Sequence, residues 1–166
     1  ILSLPHDWSI EGDFSLDNPS TPGGGALPGG IGWYRKTFTL PETDRDKVIY
    51  VDFDGVYRNS EVWINGHSLG FRPNGYVSFR YDLTPYLRYG SQPNVIAVKA
   101  DNSEQPNSRW YSGSGIYRNV WLVKVNPVHV DNWGTFVHDM KISSEEATLA
   151  LEVRICLLYT SDAADD

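Results

Sequence analysis

Apolar and polar residues alternate with a period of two in several short stretches of the chain. Residues 49–54 and 77–83 show this most clearly, with an apolar side chain at every second position. Residues 33–40, 94–100 and 120–125 are similar. Such alternation is typical of β-strands that turn one face to a core, because successive side chains point to opposite sides. The pattern predicts an all-β protein.

Turn-forming residues separate these stretches. Asn65-Gly66, Asn74-Gly75 and Gly90-Ser91 all lie between alternating segments, where hairpins and loops are expected. Short strands at this spacing predict a sandwich of two β-sheets. The only helix-like stretch before residue 126 covers residues 84–89, about one turn.

One segment has no strand or helix pattern. Residues 17–32 are rich in glycine and proline, which excludes regular structure over most of their length. A loop this long inside a compact domain is usually either functional or disordered. The sequence alone leaves both possibilities open.

The pattern changes after Asn126-Pro127. Residues 128–142 and 147–155 are predicted to form two further strands, joined by a turn at residues 143–146. The Ser-Ser-Glu-Glu sequence of that turn resembles a helix start. The strict alternation that follows it favours a strand instead.

Two strands cannot enclose a sandwich core by themselves. We therefore assign residues 1–126 to one domain and residues 127–155 to the truncated start of a second sandwich. Residues 156–166 break the alternation, and we expect them to be a non-native tail, with a genuine acidic tail as the alternative. The chain is expected to be an internal piece of a longer protein.

Composition excludes several classes of function. The 166 residues carry 14 Lys and Arg against 21 Asp and Glu, a net charge of −7, which disfavours binding to nucleic acids or anionic membranes. Cys156 is the single cysteine, so a disulfide framework and a cysteine-based zinc site are excluded. The four histidines are dispersed and no phosphate or dinucleotide loop is present. We expect no metal and no cofactor.

The aromatic content points to a flat ligand such as a sugar. Six Trp and ten Tyr occur in the chain. A sugar ring stacks its C–H face on Trp or Tyr, and its neighbouring hydroxyls suit Asp, Asn and Arg side chains. Residues 5–8 and 101–115 combine these residue types in loops. The alternative is that Trp8 and Trp110 only close the end of the sandwich.

Four segments together resemble the N-terminal sugar-binding domain of the family 2 glycoside hydrolases, the β-galactosidase and β-glucuronidase group. The resemblance covers most of residues 4–125. The segments that carry it are LPHDWSIEG (4–12), GWYRKTF (32–38), DGVYRNSEVWINGHSLG (54–70) and SRWYSGSGIYRNVWL (108–122).

The resemblance implies a galactose-binding-like jelly-roll β-sandwich, then an immunoglobulin-like β-sandwich, then a catalytic (β/α)₈ barrel that lies outside this chain. Members of the family retain the anomeric configuration and use two Glu residues, whose carboxyl groups lie about 5–5.5 Å apart in such enzymes. The acid/base Glu follows an Asn in the family, and this chain has no Asn-Glu dipeptide. We therefore assign no catalytic residue here.

The resemblance also implies which residues touch substrate. In the family a loop of this domain reaches the sugar pocket, and motif matching places the contact at Arg109 and Trp110. Asp101 and Asn102 are further candidates, and Asp7 in the other loop is another. Some relatives have Asp in place of Arg109 and hold a monovalent cation nearby, so no metal site is transferred to this chain. The alternative for Arg109 is a salt bridge that braces the loop.

The expected function is that of a non-catalytic part of a retaining exo-glycosidase acting on terminal β-linked sugars, with a galactoside preferred. The RWYSGSGIYR sequence is the reason for ranking β-galactosidase above β-glucuronidase or β-mannosidase. A stand-alone carbohydrate-binding module and an adhesion sandwich are the alternatives. The sequence does not predict the compartment, or whether the intact protein is a homo-oligomer.

Overall fold

The computed structural model describes residues 1–158 and confirms the all-β prediction. Nine strands lie in the described residues, and every pairing between them is antiparallel. The strands are β1 (Gly30–Phe38), β2 (Val48–Phe53), β3 (Ser60–Ile64), β4 (His67–Arg72), β5 (Phe79–Asp82), β6 (Asn94–Asn102), β7 (Val120–Val125), β8 (Val128–Ile142) and β9 (Ala147–Leu157).

The first seven strands form two sheets, in agreement with a jelly-roll sandwich. One sheet has the order β1-β6-β3-β4 and the other the order β5-β2-β7. The predicted turn at Asn65-Gly66 joins β3 to β4. Its residues have φ angles of 50° and 88°, the left-handed conformation that tight hairpins favour.

Apolar side chains of both sheets meet in one core. The alternation predicted for β2 is confirmed, since Ile49, Val51 and Phe53 are all buried. Phe53 stacks on Phe79 of the neighbouring strand, with ring centroids 5.0 Å apart. Val62 and other buried residues of the opposite sheet complete the same cluster.

Most of the short 3₁₀ helices were not predicted from the sequence pattern. The 3₁₀ helix Thr84–Tyr86 falls within the predicted helical turn, but Ser9–Glu11, Pro22–Gly24 and Glu42–Asp44 form three more that the sequence did not predict. A three-residue helix is too short to produce a hydrophobic period. Val77 also differs, because β5 begins two residues later and Val77 is exposed.

The Gly- and Pro-rich segment is an ordered loop only up to residue 29, and the prediction that residues 17–32 lack regular structure is wrong at residues 30–32, which begin β1. The Asn18 amide donates to the carbonyls of Asp13 and Ala26, both at 2.8 Å. The Ser20 hydroxyl donates to the carbonyl of Leu27 at 2.6 Å, and both residues are buried. Such internal closure is typical of a compact Ω-loop.

Strands β8 and β9 form a separate two-stranded hairpin, and the turn predicted at residues 143–146 joins them. β9 extends two residues past the predicted end and includes Cys156 and Leu157. Large apolar side chains such as Met140 and Leu151 are exposed on the hairpin. The domain division at residue 126 stays a prediction, and residues 159–166 of the predicted tail lie outside the described residues.

We expect the Phe53→Ala variant to lower the free energy of unfolding by about 3–5 kcal/mol, because it removes a fully buried ring and leaves a cavity. Urea or thermal denaturation measures the loss. Phe71→Ala is the matched control: Phe71 is 54% exposed, so its loss should cost less than about 1 kcal/mol. Equal losses in the two variants would contradict this placement of the core.

Candidate functional site

The candidate loop covers residues 103–119 and connects the end of β6 to the start of β7. Asp101 begins it: one carboxylate oxygen accepts the backbone N–H of Ser103 at 3.1 Å and its hydroxyl at 2.5 Å. The bond from the Ser103 hydroxyl contributes most to holding the pKa of Asp101 below its ordinary value. Asp101 therefore fixes the turn that leaves the strand.

Asn102 holds the two ends of the loop together from a fully buried position. Its amide nitrogen donates to the Gly113 carbonyl at 3.0 Å and to the Ser114 hydroxyl oxygen at 2.8 Å. Its own oxygen accepts a bond from the Asn107 amide at 2.5 Å. All of the side-chain hydrogen bonds of Asn102 are to the loop, which agrees with a positioning role.

The same buried cluster continues into the first loop of the chain. The Ser114 and Ser9 hydroxyl oxygens lie 2.7 Å apart, and the Ser9 hydroxyl donates to the Pro28 carbonyl at 2.6 Å. Ser9, Ser114 and Asn102 are each buried. We call Asn102, Ser114 and Ser9 the polar knot, because they join three loops at one end of the sandwich.

Asp7 lies beside the polar knot and also faces the loop. Its Oδ1 accepts the backbone N–H groups of Ser9 and Ser114, both at 2.9 Å. Its Oδ2 accepts the hydroxyl of Tyr111. Burial, together with this bond and the Asp7 charge, raises the pKa of the Tyr111 hydroxyl, so Tyr111 remains a donor at neutral pH.

The approach of Asp7 to the loop requires glycine at position 113. Gly113 has a φ of 77°, and a side chain carbon placed there would lie 2.9 Å from the Asp7 carboxylate. Any larger residue would therefore be strained and would push the loop away from Asp7.

The two tryptophans of the candidate stretches have different environments. Trp8 packs against the core, and a side chain carbon placed on Gly32 would lie 2.4 Å from its ring. The interpretation of Trp8 as a structural plug is therefore the better one. Trp110 is 63% exposed at the loop, so it does not fill the end of the sandwich.

Arg109 is exposed beside Trp110, and within residues 1–158 it has no salt bridge. The salt bridge considered as its alternative role is not formed there. Arg109 and Trp110 thus project from a loop whose base is held by Asp7, Asp101 and Asn102.

Only a small cleft separates this loop from the Gly- and Pro-rich loop. Its volume of about 10 Å³ is at the lower limit for one water molecule. Trp110 and Asn102 line it, but Arg109, Asp101 and Asp7 do not. At this loop the side chains thus form an exposed surface and not an enclosed sugar site.

Three further side chains hold the loop and were not indicated by the sequence pattern: Tyr111, Ser114 and Ser9. Tyr111 lies within the aromatic stretch and could have been noticed there, since a Tyr next to Trp is a plausible sugar contact. Nothing in the sequence distinguishes Ser9 and Ser114 from other serines, because their importance comes from being buried next to Asn102.

No group of three or more His, Cys, Asp or Glu side chains is arranged to hold a metal ion within the described residues. Among the same residues, no helix is long and apolar enough to cross a membrane.

Similar proteins are glycoside hydrolases. The chain is 64% identical over 151 residues to the beta-galactosidase BoGH2A of Bacteroides ovatus, which covers 91% of this chain and 18% of that protein. It is 36% identical over 175 residues to a beta-glucuronidase of Formosa agariphila. This match covers 93% of this chain and 18% of that protein. The chain therefore spans less than a fifth of the length of these two relatives.

A solved structure and a family model agree with these relatives. A beta-glycosidase from Bacteroides vulgatus matches with a TM-score of 0.89 and 50% identity, over 96% of this chain and 21% of that one. The model of the glycosyl hydrolases family 2 sugar binding domain matches residues 14–126. The chain belongs to this family of sugar binding domains.

Proposed function

We propose that the chain is the non-catalytic N-terminal part of a retaining β-glycosidase and that its 103–119 loop forms part of the wall of the sugar pocket. The observation that carries the proposal is the contrast between an anchored base and an exposed tip. Asp7 and Asn102 are occupied by hydrogen bonds to the loop, whereas Arg109 and Trp110 are exposed.

The exposed pair has the chemistry that a sugar requires. The Trp110 ring offers a flat face for the C–H groups of a pyranose, and the Arg109 guanidinium can donate to two neighbouring hydroxyls. Asp7, Asp101 and Asn102 act indirectly in this proposal, by holding the loop that carries the pair.

The bond-breaking step belongs to another part of the intact protein. The family uses two Glu residues for it, and no residue of this chain matches their motif. The small volume of the cleft supports a partial wall over a complete binding module, because no ring fits inside it. The barrel mouth of the same polypeptide is the proposed partner of this surface.

The proposed substrate is a terminal β-galactoside. Identity to the beta-galactosidase of Bacteroides ovatus is 64%, against 46% to a putative beta-glucuronidase and 36% to a beta-glucuronidase, both of Formosa agariphila. β-Glucuronides are a competing substrate, since the same domain occurs in relatives named beta-glucuronidase. β-Mannosides are the other alternative, which rests only on the resemblance to the family.

We expect the intact protein to hydrolyse a 4-nitrophenyl β-galactoside with a higher kcat/KM than the matched β-glucuronide and β-mannoside. NMR of the first-formed product should show the β-anomer, because a retaining mechanism passes through two displacements. A higher kcat/KM for the glucuronide would contradict the substrate, and an α-anomer would contradict the mechanism.

We expect Arg109→Ala and Trp110→Ala in the intact protein each to lower kcat/KM on the galactoside by about 5- to 150-fold. This corresponds to about 1–3 kcal/mol of lost transition-state binding. The melting temperature should not change, since both side chains are exposed. Arg118→Ala, at an exposed arginine of the same loop, is the control and should retain activity. Wild-type kcat/KM in both test variants would refute the proposed contact.

We expect Asn102→Ala to lower the free energy of unfolding by about 1–3 kcal/mol, because it removes a buried amide from the Gly113 carbonyl and the Ser114 hydroxyl. It should also reduce kcat/KM, since the loop loses its anchor. Asn119→Ala is the control, at an exposed asparagine of the same loop. A variant that loses activity at unchanged stability would instead place Asn102 in contact with the sugar.

A further inference from the structure

The 103–119 loop returns to the core at Ile116, whose side chain is buried. The first loop of the chain lies beside this returning segment and bonds to its backbone. The Ile116 carbonyl accepts the backbone N–H of His6 at 2.8 Å, and the Ser114 carbonyl accepts the N–H of Trp8 at 3.1 Å. One polar group of the Ile116 backbone, its C=O, is thus held directly by the first loop.

The other polar group of that backbone, the Ile116 N–H, is held by a chain of side chains. It donates to the hydroxyl oxygen of Tyr34 at 3.4 Å. This hydroxyl lies 2.8 Å from Nδ1 of His6, and Nε2 of the same ring lies 3.3 Å from a carboxylate oxygen of Glu11. We call Glu11, His6 and Tyr34 the imidazole chain.

The contacts at both ring nitrogens of His6 indicate the same tautomer. Tyr34 keeps its proton at neutral pH, because burial raises the pKa of its hydroxyl. Its oxygen accepts from Ile116, so its proton needs an acceptor, which an unprotonated Nδ1 provides. The proton of the neutral ring is then on Nε2, facing Glu11. The opposite tautomer would place a lone pair against that carboxylate and leave the Tyr34 proton without its acceptor.

A carboxylate, an imidazole and a hydroxyl in sequence are also the parts of a nucleophilic triad. A Tyr34 nucleophile would need open space for a substrate next to its oxygen. Gly115 of the returning segment fills that space, because a side chain carbon placed on it would collide with the Tyr34 hydroxyl. The imidazole chain therefore acts on the loop backbone and not on a substrate.

We propose that His6 is a positioning residue for the 103–119 loop: its unprotonated Nδ1 accepts the Tyr34 hydroxyl, and Tyr34 in turn holds the Ile116 N–H. The proposal rests on the proposed function, since the position of the loop matters for activity only if its tip contacts the sugar. The His6 side chain is 13% exposed and packs edge-on against the Tyr34 ring, with centroids 5.6 Å apart. His6 thus holds both polar groups of the Ile116 backbone, one directly and one through Tyr34.

The imidazole chain connects the loop to a rigid element. Tyr34 lies in the middle of β1, opposite Val98 of β6. A side chain on a paired strand positions its partner more precisely than one on a loop, provided that its own orientation is fixed. His6 fixes the direction in which the Tyr34 hydroxyl donates, and the polar knot does not reach this point.

Hydrogen exchange of residues 114–117 in the intact protein, followed by mass spectrometry, tests the chain independently of activity. We expect Tyr34→Phe and His6→Phe each to exchange about 2- to 12-fold faster than the wild type there, as for the loss of one hydrogen bond. His6→Phe keeps a ring against Tyr34 but has no acceptor. Wild-type exchange in His6→Phe would overturn the proposal.

Tyr81→Phe is the matched control for the loss of a hydroxyl. Within residues 1–158 the Tyr81 hydroxyl is buried and has no hydrogen-bond partner. Its removal should therefore leave the exchange of residues 114–117 at the wild-type rate. Faster exchange in Tyr81→Phe, equal to that in Tyr34→Phe, would mean that any lost buried hydroxyl loosens the loop, and would overturn the specific role of the imidazole chain.

Two further variants distinguish an acceptor at position 6 from general packing. An Asn side chain can place its amide oxygen where Nδ1 lies, so His6→Asn should exchange within about twofold of the wild type. The His6→Phe/Tyr34→Phe double variant should exchange no faster than Tyr34→Phe, since both changes break the same chain. Exchange in His6→Asn as fast as in His6→Phe, or additive increases in the double variant, would contradict the proposal.

The kcat/KM of the same variants on the 4-nitrophenyl β-galactoside tests the link to the sugar pocket. His6→Asn should stay near the wild type, while His6→Phe and Tyr34→Phe should be lower by about 2- to 12-fold. If exchange follows this order and kcat/KM does not change, His6 positions the loop and the proposed contact between loop and sugar is wrong. If kcat/KM falls while exchange stays at the wild-type rate, the role assigned to His6 is wrong.

Discussion

The hydrogen bonds of the polar knot hold together the loops that carry the candidate site. Asn102 closes the 103–119 loop, and the Ser114–Ser9 contact ties that loop to the first loop and to Pro28. Each of the three side chains is buried, so none can exchange its partners for water without a desolvation cost. The positions of Arg109 and Trp110 therefore depend on a cluster that itself has no surface to offer a sugar.

The fold was predictable because its main signal is local. Alternation from residue 49 to residue 53 indicates directly which face of β2 meets the core, and Asn65-Gly66 has the residues that a tight hairpin requires. The helix Pro22–Gly24 gave no comparable signal, because a single 3₁₀ turn has no period. The order of the Gly- and Pro-rich loop depends on bonds from Asn18 and Ser20 to distant carbonyls, which composition does not reveal.

The site was predictable as a region but not residue by residue. Residue type alone suggested the same role for Trp8 and Trp110, yet one packs on the core and the other is exposed. The Trp8 ring can pack on the core because Gly32 in β1 has no side chain that would occupy its place. The role of Ser114 could not be predicted from the sequence either, because it depends on a contact with Ser9, which lies 105 residues away along the chain. Contacts between distant segments decide which polar residues anchor a loop and which remain free.

An anchored loop is what an exposed Arg and Trp need in order to contribute to binding. Ordering five flexible residues on contact with a sugar would cost about 5–10 kcal/mol of backbone entropy. A charged hydrogen bond returns about 1.5–3 kcal/mol and an aromatic contact about 0.5–1.5 kcal/mol, too little to offset that cost. The polar knot and Asp7 already order the loop when the protein folds. The entropy cost of ordering it therefore lowers the free energy of unfolding and does not weaken sugar affinity. In the proposed function, loop geometry is therefore as much a requirement for sugar binding as the side chains at the loop tip.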